Sequence, residues 1–547
     1  MALSLPGSEF LGIDSSAHAV SLARERAAVL GLRNVRFEQT DIGEVSIPPG
    51  GFDYVVAHGV YSWVDAHVRD RLLALCATGL RSRGVAYVSY NVLPGGHVRE
   101  ALREMMLFHV REATEPEERV AQARALLELL RAGWSDADAF GRLMSQWAGQ
   151  VGERSDETLY HDDLAEVNEA CYFYDFISHA ARHGLQFLAE ADFFEMQVGV
   201  MPEPVSEALA ELDDDVLTRE QYLDFLKGRM FRQTLLCSAE MRLNRSPQPA
   251  LLTRFSVASP ARPATPDPDL SPGHPVEFVG PKGASLRTDH PLVKAAFVRI
   301  GESWPRALPV AELEAAGAGH PDAEDVRALC DALLRSYAGN LLQLHLYPPT
   351  FALEAGERPT ASPLARLEAR SGPVVTNLRH ASVRLEDDLG RHLITLLDGT
   401  RDRGTLLTEL ERFRRLGCPR AGRGRDRRRH RRAGPRFGAQ PRRARPTGLA
   451  LRLSGVRVAF PRLRGHLKRH RNGRSIDRAA PARLLEKGAR AGGTATGRSQ
   501  GCRQAGPSPY EDEARPGSAR LGSARLEQAG RWCDSQVAIR GVARDRR

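Results

Sequence analysis

The 547-residue chain is 42% hydrophobic, a composition that supports several folded domains and excludes a wholly disordered polymer. It has no apolar run of membrane-spanning length and no basic-then-apolar leader, so we expect a cytoplasmic protein without a membrane span or signal peptide. The seven cysteines are scattered and form no Cys-x-x-Cys pair, which argues against a disulfide framework and against a zinc–cysteine site.

The net charge of +9 is the sum of an acidic body and a basic tail. Residues 411–547 contain 37 Lys and Arg against 10 Asp and Glu, whereas residues 1–410 contain 40 against 58. The net charge is therefore −18 for residues 1–410, the body, and +27 for residues 411–547, the tail. Helical patterning stops near residue 413, which predicts a disordered Arg-rich tail over 413–547. Its composition has two explanations: translation in the wrong reading frame, or a segment that binds polyanions non-specifically.

The first elements alternate between strand and helix. The stretch "EFLGIDSS" (9–16) predicts a strand that ends at Asp14, and "AHAVSLARERAAVLG" predicts an amphipathic helix closed by Gly31. "NVRFEQTDI" and "FDYVVAHG" predict two further strands that end at Asp41 and His58. A helix over "DAHVRDRLLALCATGLRSRG" and the strand "VAYVSYN" follow, so the order predicts a parallel α/β sheet.

Three polar side chains follow strand ends in this pattern: Asp14, Asp41 and His58. In open α/β sheets ligands bind beyond the carboxyl ends of the strands, and a carboxylate at such an end accepts hydrogen bonds from ribose hydroxyls. The alternative for Asp14 alone is a cap on the following helix. The glycine-rich turn of a nucleotide-binding unit lies about 20 residues before the carboxylate. Asp14 lies too close to residue 1 for such a turn to precede it in this sequence, so we expect a sheet that lacks its first strand.

These residues carry a resemblance to a known family. "FLGIDSSAHAVSLARERAAVLGLRNVRFEQTDI", "FDYVVAHGVYSWV" and "YNVLPGGH" resemble class I S-adenosylmethionine-dependent methyltransferases. The resemblance is to the bacterial group that carries a methyltransferase regulatory domain and is related to rickettsial protein-lysine methyltransferases. It extends over "YFYDFISHAARHGLQFLAEADF" and "TNLRHASVRLEDDLGRHLITLLDGTRDR" and ends near residue 410.

The resemblance implies a Rossmann-like fold and S-adenosylmethionine as cofactor. It implies that Asp14, with Ser15 beside it, binds the ribose hydroxyls and that Asp41 accepts from the adenine amino group. Ile42 would stack nearby, and His58 with Gly59 would lie under the sulfonium. The family's first strand and glycine motif have no counterpart in the sequence, which predicts weak cofactor binding.

An aromatic wall is predicted next to this edge. We expect Tyr61 and Trp63 on one face of an extended segment, with Tyr90 ending the next strand, where they could meet a sulfonium or an ammonium group. Ordinary packing over the sheet edge is the alternative. His58 is a candidate for ligand alignment or for proton transfer from an amine. We accordingly predict His58, Tyr61 and Trp63 as catalytic residues.

The domain prediction places a methyltransferase domain at 1–245, with a helical insertion over 112–170 and a regulatory-type region over 160–245. A Pro-rich linker follows at 246–275, and a winged-helix-like α+β domain at 276–412. No metal site is predicted, since the acidic runs at 161–163 and 211–215 lack paired histidines and are taken as solvated faces.

Two functions fit the sequence. The first is a methyltransferase acting on protein lysine or another amine. The second is a truncated, catalytically inactive relative that acts only as a protein-binding module. We expect no membrane partner and nucleic-acid binding only non-specifically through the tail, and a homodimer is left open.

Overall fold

The computed structural model describes residues 1–212, 215–316 and 321–415, together with the short strands 451–453 and 456–458. Within the predicted tail, residues 413–415 end a helix, and Leu451–Leu453 pairs antiparallel with Val456–Val458. The rest of the tail prediction lies outside the described residues. No described helix has the length and apolar character needed to cross a membrane.

The first part of the chain forms two sheets over one apolar core. Strands β1 and β2 pair in parallel, and a four-stranded sheet has the order β3-β4-β6-β5. Strands β3 and β4 are parallel, while β6 runs antiparallel to both β4 and β5. The strands are β1 Phe10–Asp14, β2 Val35–Gln39, β3 Phe52–Ala57, β4 Leu80–Asn91, β5 Leu185–Glu190 and β6 Phe231–Ser238.

The predicted alternation of strands and helices is confirmed, the antiparallel β6 is added to it, and the fold is Rossmann-like. In the described part of the chain no strand hydrogen-bonds β1 to β3, so the sheet is divided where the first strand of such a unit would lie. A shared core joins the two halves, because Ile13 of β1 and Val55 of β3 are buried in the same apolar cluster.

Helices flank these strands. The helix after β1 begins at the N-cap Ser16, whose hydroxyl accepts from the Ala19 N–H at 3.2 Å, and Gly31 at φ +65° follows its end as predicted. The helices are α1 Ala17–Val29, α2 Ala66–Gly79, α3 Gly96–His109, α4 Pro116–Gly133, α5 Ala139–Gly152, α6 Asp156–Thr158, α7 Phe173–Arg182, α8 Glu203–Ala210 and α9 Val216–Lys227.

The helices of the predicted insertion share a separate core with α3. Apolar side chains of α3, α4 and α5 pack together, among them Leu102, Leu127 and Met144. The prediction that residues 161–163 form a solvated acidic face is wrong for Asp163, which is fully buried. Its carboxylate is compensated by Arg99 at 3.0 Å and Arg154 at 2.6 Å, as a buried charge requires. Residues 213 and 214 of the other acidic run lie outside the described residues.

A second core follows the sheet. The predicted linker 246–275 is in part folded into it, since Leu252, Val257 and Ala261 are buried there with Phe297. A Pro-rich composition did not prevent folding because short apolar runs between the prolines reach this core. Its elements are β7 Ser256–Ala258, β8 Arg262–Pro263, β9 Val276–Val279, β10 Ser285–Thr288, α10 Pro291–Ser303, β11 Leu308–Pro309, α11 Val310–Glu314, α12 Ala323–Ala338 and β12 Gln343–His345.

A third, smaller core contains Ala365, Ala369 and Val375. The predicted winged-helix range 276–412 therefore covers parts of two separate cores. The elements of the third are α13 Pro363–Ser371, β13 Val374–Thr376, β14 Ser382–Arg384, α14 Asp388–Leu396 and α15 Arg403–Arg415.

Candidate functional site

The carboxyl edge of the β1–β2 pair brings two predicted acidic residues close in register. Asp14 ends β1 opposite Gln39, and its carbonyl accepts from the Thr40 N–H at 3.0 Å, one residue before Asp41. The Asp14 Oδ1 accepts from the Ser16 N–H at 2.8 Å, with the exposed Ser15 between them. This short turn fixes one carboxylate oxygen and orients the group at the strand end.

Asp41 is held by a similar turn. Its Oδ1 accepts from the Gly43 N–H at 2.6 Å, while the residue as a whole is exposed. The next residue, Ile42, is buried and packs in the large core. The β2 end thus presents an oriented carboxylate directly beside an apolar wall.

His58 and Gly59 lie at the carboxyl end of β3. The His58 Nδ1 is 3.1 Å from the Tyr87 hydroxyl, and its ring meets Phe231 edge-on. Burial raises the pKa of Tyr87, so its hydroxyl stays protonated and can donate to this nitrogen. Gly59 has φ +68°, its N–H donates to the Ser89 Oγ at 2.9 Å, and an added Cβ would meet no atom within 4 Å. The backbone there leaves open space.

The segment Tyr61–Trp63 is a 3₁₀ helix, so the predicted extended conformation is wrong. Its middle residue, Ser62, is fully buried and its Oγ accepts from the Asn91 N–H at 2.9 Å, which favours a tight turn over a strand. A 3₁₀ helix has about three residues per turn, so residues two apart point to different sides.

The two aromatic residues are accordingly in different environments. The Tyr61 ring is buried and packs edge-on against Phe176 and Tyr90. Its hydroxyl is 2.8 Å from the His179 Nδ1. Trp63 is half-buried, and its indole Nε1 is a buried donor without an acceptor among the described residues.

A buried charge network lies where β4 ends and β6 begins. Arg232 is fully buried and contacts Glu190 at 2.5 Å, Asp224 at 2.9 Å and Glu220 at 3.1 Å. Burial raises the pKa of Glu220 and Asp224, and the cation of Arg232 opposes that rise. Sequence analysis missed this network because arginine is expected at the surface. It ties α9 to the edge of the sheet next to the site.

The donor set fits the adenosine part of S-adenosylmethionine. Carboxylate oxygens accept hydrogen bonds from hydroxyl and amino groups. Asp14 ends β1, Asp41 lies two residues beyond the end of the adjacent β2, and the apolar Ile42 follows it. Within residues 1–9 there is no strand, and no glycine-rich strand–turn–helix precedes β1 in the described chain. The described residues therefore offer no glycine loop for the methionine part.

Three family descriptions match the chain. They are "Methyltransferase domain" over residues 1–135, "Predicted methyltransferase regulatory domain" over 155–238, and "PKMT, C-terminal winged helix domain" over 357–423. The uncharacterized protein RP028 of Rickettsia prowazekii is 30% identical over 184 residues, which cover 34% of this chain and 74% of that protein. The three descriptions and this overlap together identify the family. The chain belongs to the class I S-adenosylmethionine-dependent methyltransferases related to the rickettsial PKMT proteins.

Two further similarities support the family over most of the chain. The uncharacterized protein RP789 of Rickettsia prowazekii is 29% identical over 422 residues, covering 74% of this methyltransferase and 75% of that protein. The structure of PKMT2 from Rickettsia typhi in complex with AdoHcy matches with a TM-score of 0.68 at 25% identity. That match covers 78% of this chain and 85% of PKMT2. The similarity thus includes the regulatory and C-terminal parts.

Proposed function

We propose that this protein transfers a methyl group from S-adenosylmethionine to an amino group of a protein, with the lysine side chain as the acceptor. The observation that carries the proposal is the pair of oriented carboxylates at adjacent strand ends, Asp14 and Asp41, in a chain of this family. S-adenosylmethionine supplies an electrophilic methyl group. A cytoplasmic location and a bacterial source stay predictions, and a homodimer stays an open question.

On the cofactor side, each residue has a distinct proposed role. Asp14 accepts hydrogen bonds from the ribose hydroxyls, and Ser15 continues that turn beside it. Asp41 accepts from the adenine amino group, and Ile42 supplies apolar contact for the ring. Since the Oδ1 atoms of both carboxylates are already fixed by backbone N–H groups, the carboxylates are pre-oriented before a ligand arrives.

On the acceptor side, Trp63 is the residue that the geometry favours for contact with the amine. Its ring is half-buried, whereas Tyr61 is buried in the core with its hydroxyl directed at His179. We propose that Trp63 forms the wall of the acceptor channel and that Tyr61 supports it from behind. Residues 1–410, at a net charge of −18, attract cationic lysine-rich substrates.

His58 is proposed to align the reacting groups together with Gly59. In-line methyl transfer depends mainly on proximity and orientation. A Tyr87 hydroxyl that donates to Nδ1 leaves the imidazole proton on Nε2, where it is a hydrogen-bond donor. This arrangement supports a positioning role for His58, and Gly59 keeps the backbone clear beside it.

The test is methyl transfer from labelled S-adenosylmethionine to lysine-rich protein and to a bacterial lysate, followed by acid hydrolysis. We expect label in methylated lysine. Trp63→Ala should reduce turnover while changing cofactor affinity by less than about threefold, which is below ~0.7 kcal/mol. Asp41→Ala should weaken cofactor binding first.

The acceptor assignment fails if label appears only on carboxyl or hydroxyl groups. The division between cofactor and acceptor residues fails if Trp63→Ala and Asp41→Ala lose cofactor affinity equally. These outcomes are distinguishable, since the first concerns the product and the second the binding step.

A further inference from the structure

A cluster of two histidines and an aspartate connects α2 with the C-terminal end of α7. The Asp70 Oδ1 is 3.1 Å from the His179 Nε2 and 2.8 Å from the His183 Nε2. The three ligand atoms all lie within 4.8 Å of one another. Side-chain exposure is 13% for His179 and 18% for His183 but 56% for Asp70, so the cluster is anchored inside and open on one side.

Local structure explains why the histidines converge. His179 and His183 are four residues apart at the end of α7, which places both rings on one face of the helix. Two histidines at this spacing are a recurrent zinc-binding arrangement. The C-terminal end of a helix also favours a bound cation. Sequence analysis predicted no metal site because it did not pair these histidines with an aspartate that is distant in the chain.

The buried side of the cluster orients one imidazole. The Tyr61 hydroxyl is 2.8 Å from the His179 Nδ1, which leaves Nε2 directed at Asp70. Metal-binding histidines characteristically use their second ring nitrogen in this way. Tyr61 is in turn fixed by the core, so the His179 ring has little freedom to turn away.

The charges around the cluster suit a cation. The Asp70 carboxylate brings a negative charge to the cluster, 3.1 Å from the His179 Nε2 and 2.8 Å from the His183 Nε2. Asp175 adds a negative charge one turn earlier on α7. Arg69 and Arg182 are nearby opposing cations, and Glu169 pairs with Arg69 at 2.7 Å.

We propose that Asp70, His179 and His183 bind a divalent transition-metal ion of the Zn²⁺ type. Two imidazole nitrogens and one carboxylate oxygen are a ligand set for zinc, whereas Mg²⁺ and Ca²⁺ prefer oxygen ligands alone. The open side of Asp70 leaves room for water as a further ligand. The proposal does not depend on the methyl acceptor.

Such an ion would connect two regions with different family descriptions. Asp70 lies in the part that matches the methyltransferase domain, while His179 and His183 lie in the part that matches the regulatory domain. The Tyr61 contact joins the cluster to the turn that carries Trp63. The site is therefore placed to fasten α7 to α2 beneath the proposed acceptor wall.

The test compares metal content among variants of the full chain. Each protein is stripped with a chelator, dialysed against Zn²⁺ and analysed by mass spectrometry for bound metal. The variants are Asp70→Asn and His183→Ala, with His67→Ala, an exposed histidine on α2, as the matched control. Zinc bound by residues 416–547 is common to all the proteins and cancels in the comparison.

We expect the parent and His67→Ala to retain one more equivalent of zinc than the two ligand variants. In Co²⁺ titrations the parent should show visible d–d bands that both ligand variants lose, with affinity reduced by more than about 100-fold. Tyr61→Phe should keep the site and weaken it by about 10-fold, as loss of an orienting group does.

Equal zinc content in the parent, Asp70→Asn and His183→Ala would overturn the proposal and identify the cluster as a hydrogen-bonded contact between helices. Binding of Mg²⁺ but not of Zn²⁺ or Co²⁺ would also overturn it. Circular dichroism of each variant checks that zinc loss does not follow from unfolding.

Discussion

Replacing Arg232 with Met tests the buried charge network at the site edge. The substitution keeps a long apolar side chain over the Phe173 ring, which lies 4.0 Å from the guanidinium. It removes the only cation common to Glu190, Glu220 and Asp224 within the described network, all of them buried. Arg229 stays at 2.8 Å from Asp224 and offsets part of the change.

The expected cost is about 3–5 kcal/mol in the free energy of unfolding of the sheet, because removing one partner leaves buried charge uncompensated. The matched control is Arg81→Met, which breaks the Arg81–Asp53 pair with side chains 39% and 33% exposed. A pair of that exposure contributes about 0–1 kcal/mol. The measurement is the urea dependence of amide hydrogen exchange in β5 and β6 peptides.

The loss of unfolding free energy caused by Arg232→Met should become smaller as the pH falls. Without Arg232, the raised pKa values of Glu220 and Asp224 rise further, so the folded variant binds more protons than the unfolded chain above the ordinary carboxyl range. Stability of the variant then increases as pH decreases toward that range. This reasoning would be refuted if Arg232→Met lowered the unfolding free energy by less than about 1 kcal/mol, or by no more than Arg81→Met does.

Three further perturbations have definite expected outcomes. Gly95→Ala should destabilise the fold by about 1–3 kcal/mol in thermal or urea unfolding, because a Cβ there lies 2.2 Å from a backbone carbonyl, whereas Gly133→Ala, with no atom within 4 Å, should not. Burial raises the pKa of Cys76 to about 12, so mass mapping should find it unalkylated by iodoacetamide at pH 8 until urea unfolds the chain. Lys294→Met should raise amide exchange around residues 269–274, since Lys294 is fully buried and donates to three backbone carbonyls there; unchanged exchange would contradict that role.

The sheet could be predicted from the sequence because its signals are local. Apolar strands and the C-terminal Gly31 each depend on residues within one element, whereas the helix cap is Ser16 and not Asp14. The strand ends then place Asp14 and Asp41 at one edge by register alone. These parts of the candidate site needed no knowledge of the tertiary structure.

The remaining features depend on contacts between distant residues. The turn at Tyr61–Trp63 forms because buried Ser62 binds the backbone at Asn91, and no periodicity within the segment reveals that contact. Arg232 is buried because its acidic partners come from β5 and α9. Likewise, Asp70 meets its two histidines more than 100 residues later in the chain.

The most direct test of the central claim is titration calorimetry with S-adenosylmethionine and with adenosine on the parent, Asp14→Ala and Glu38→Ala. Glu38 is an exposed carboxylate on β2 paired with Arg36, so it controls for loss of charge. Because the chain is predicted to bind the cofactor weakly, we expect weak and equal binding of both ligands by the parent and Glu38→Ala at millimolar ligand. Asp14→Ala should lose detectable binding, because two ribose hydrogen bonds to a charged group, worth about 3 kcal/mol or more, are lost. Unchanged affinity of Asp14→Ala for both ligands would contradict the assignment of this strand edge as the cofactor site.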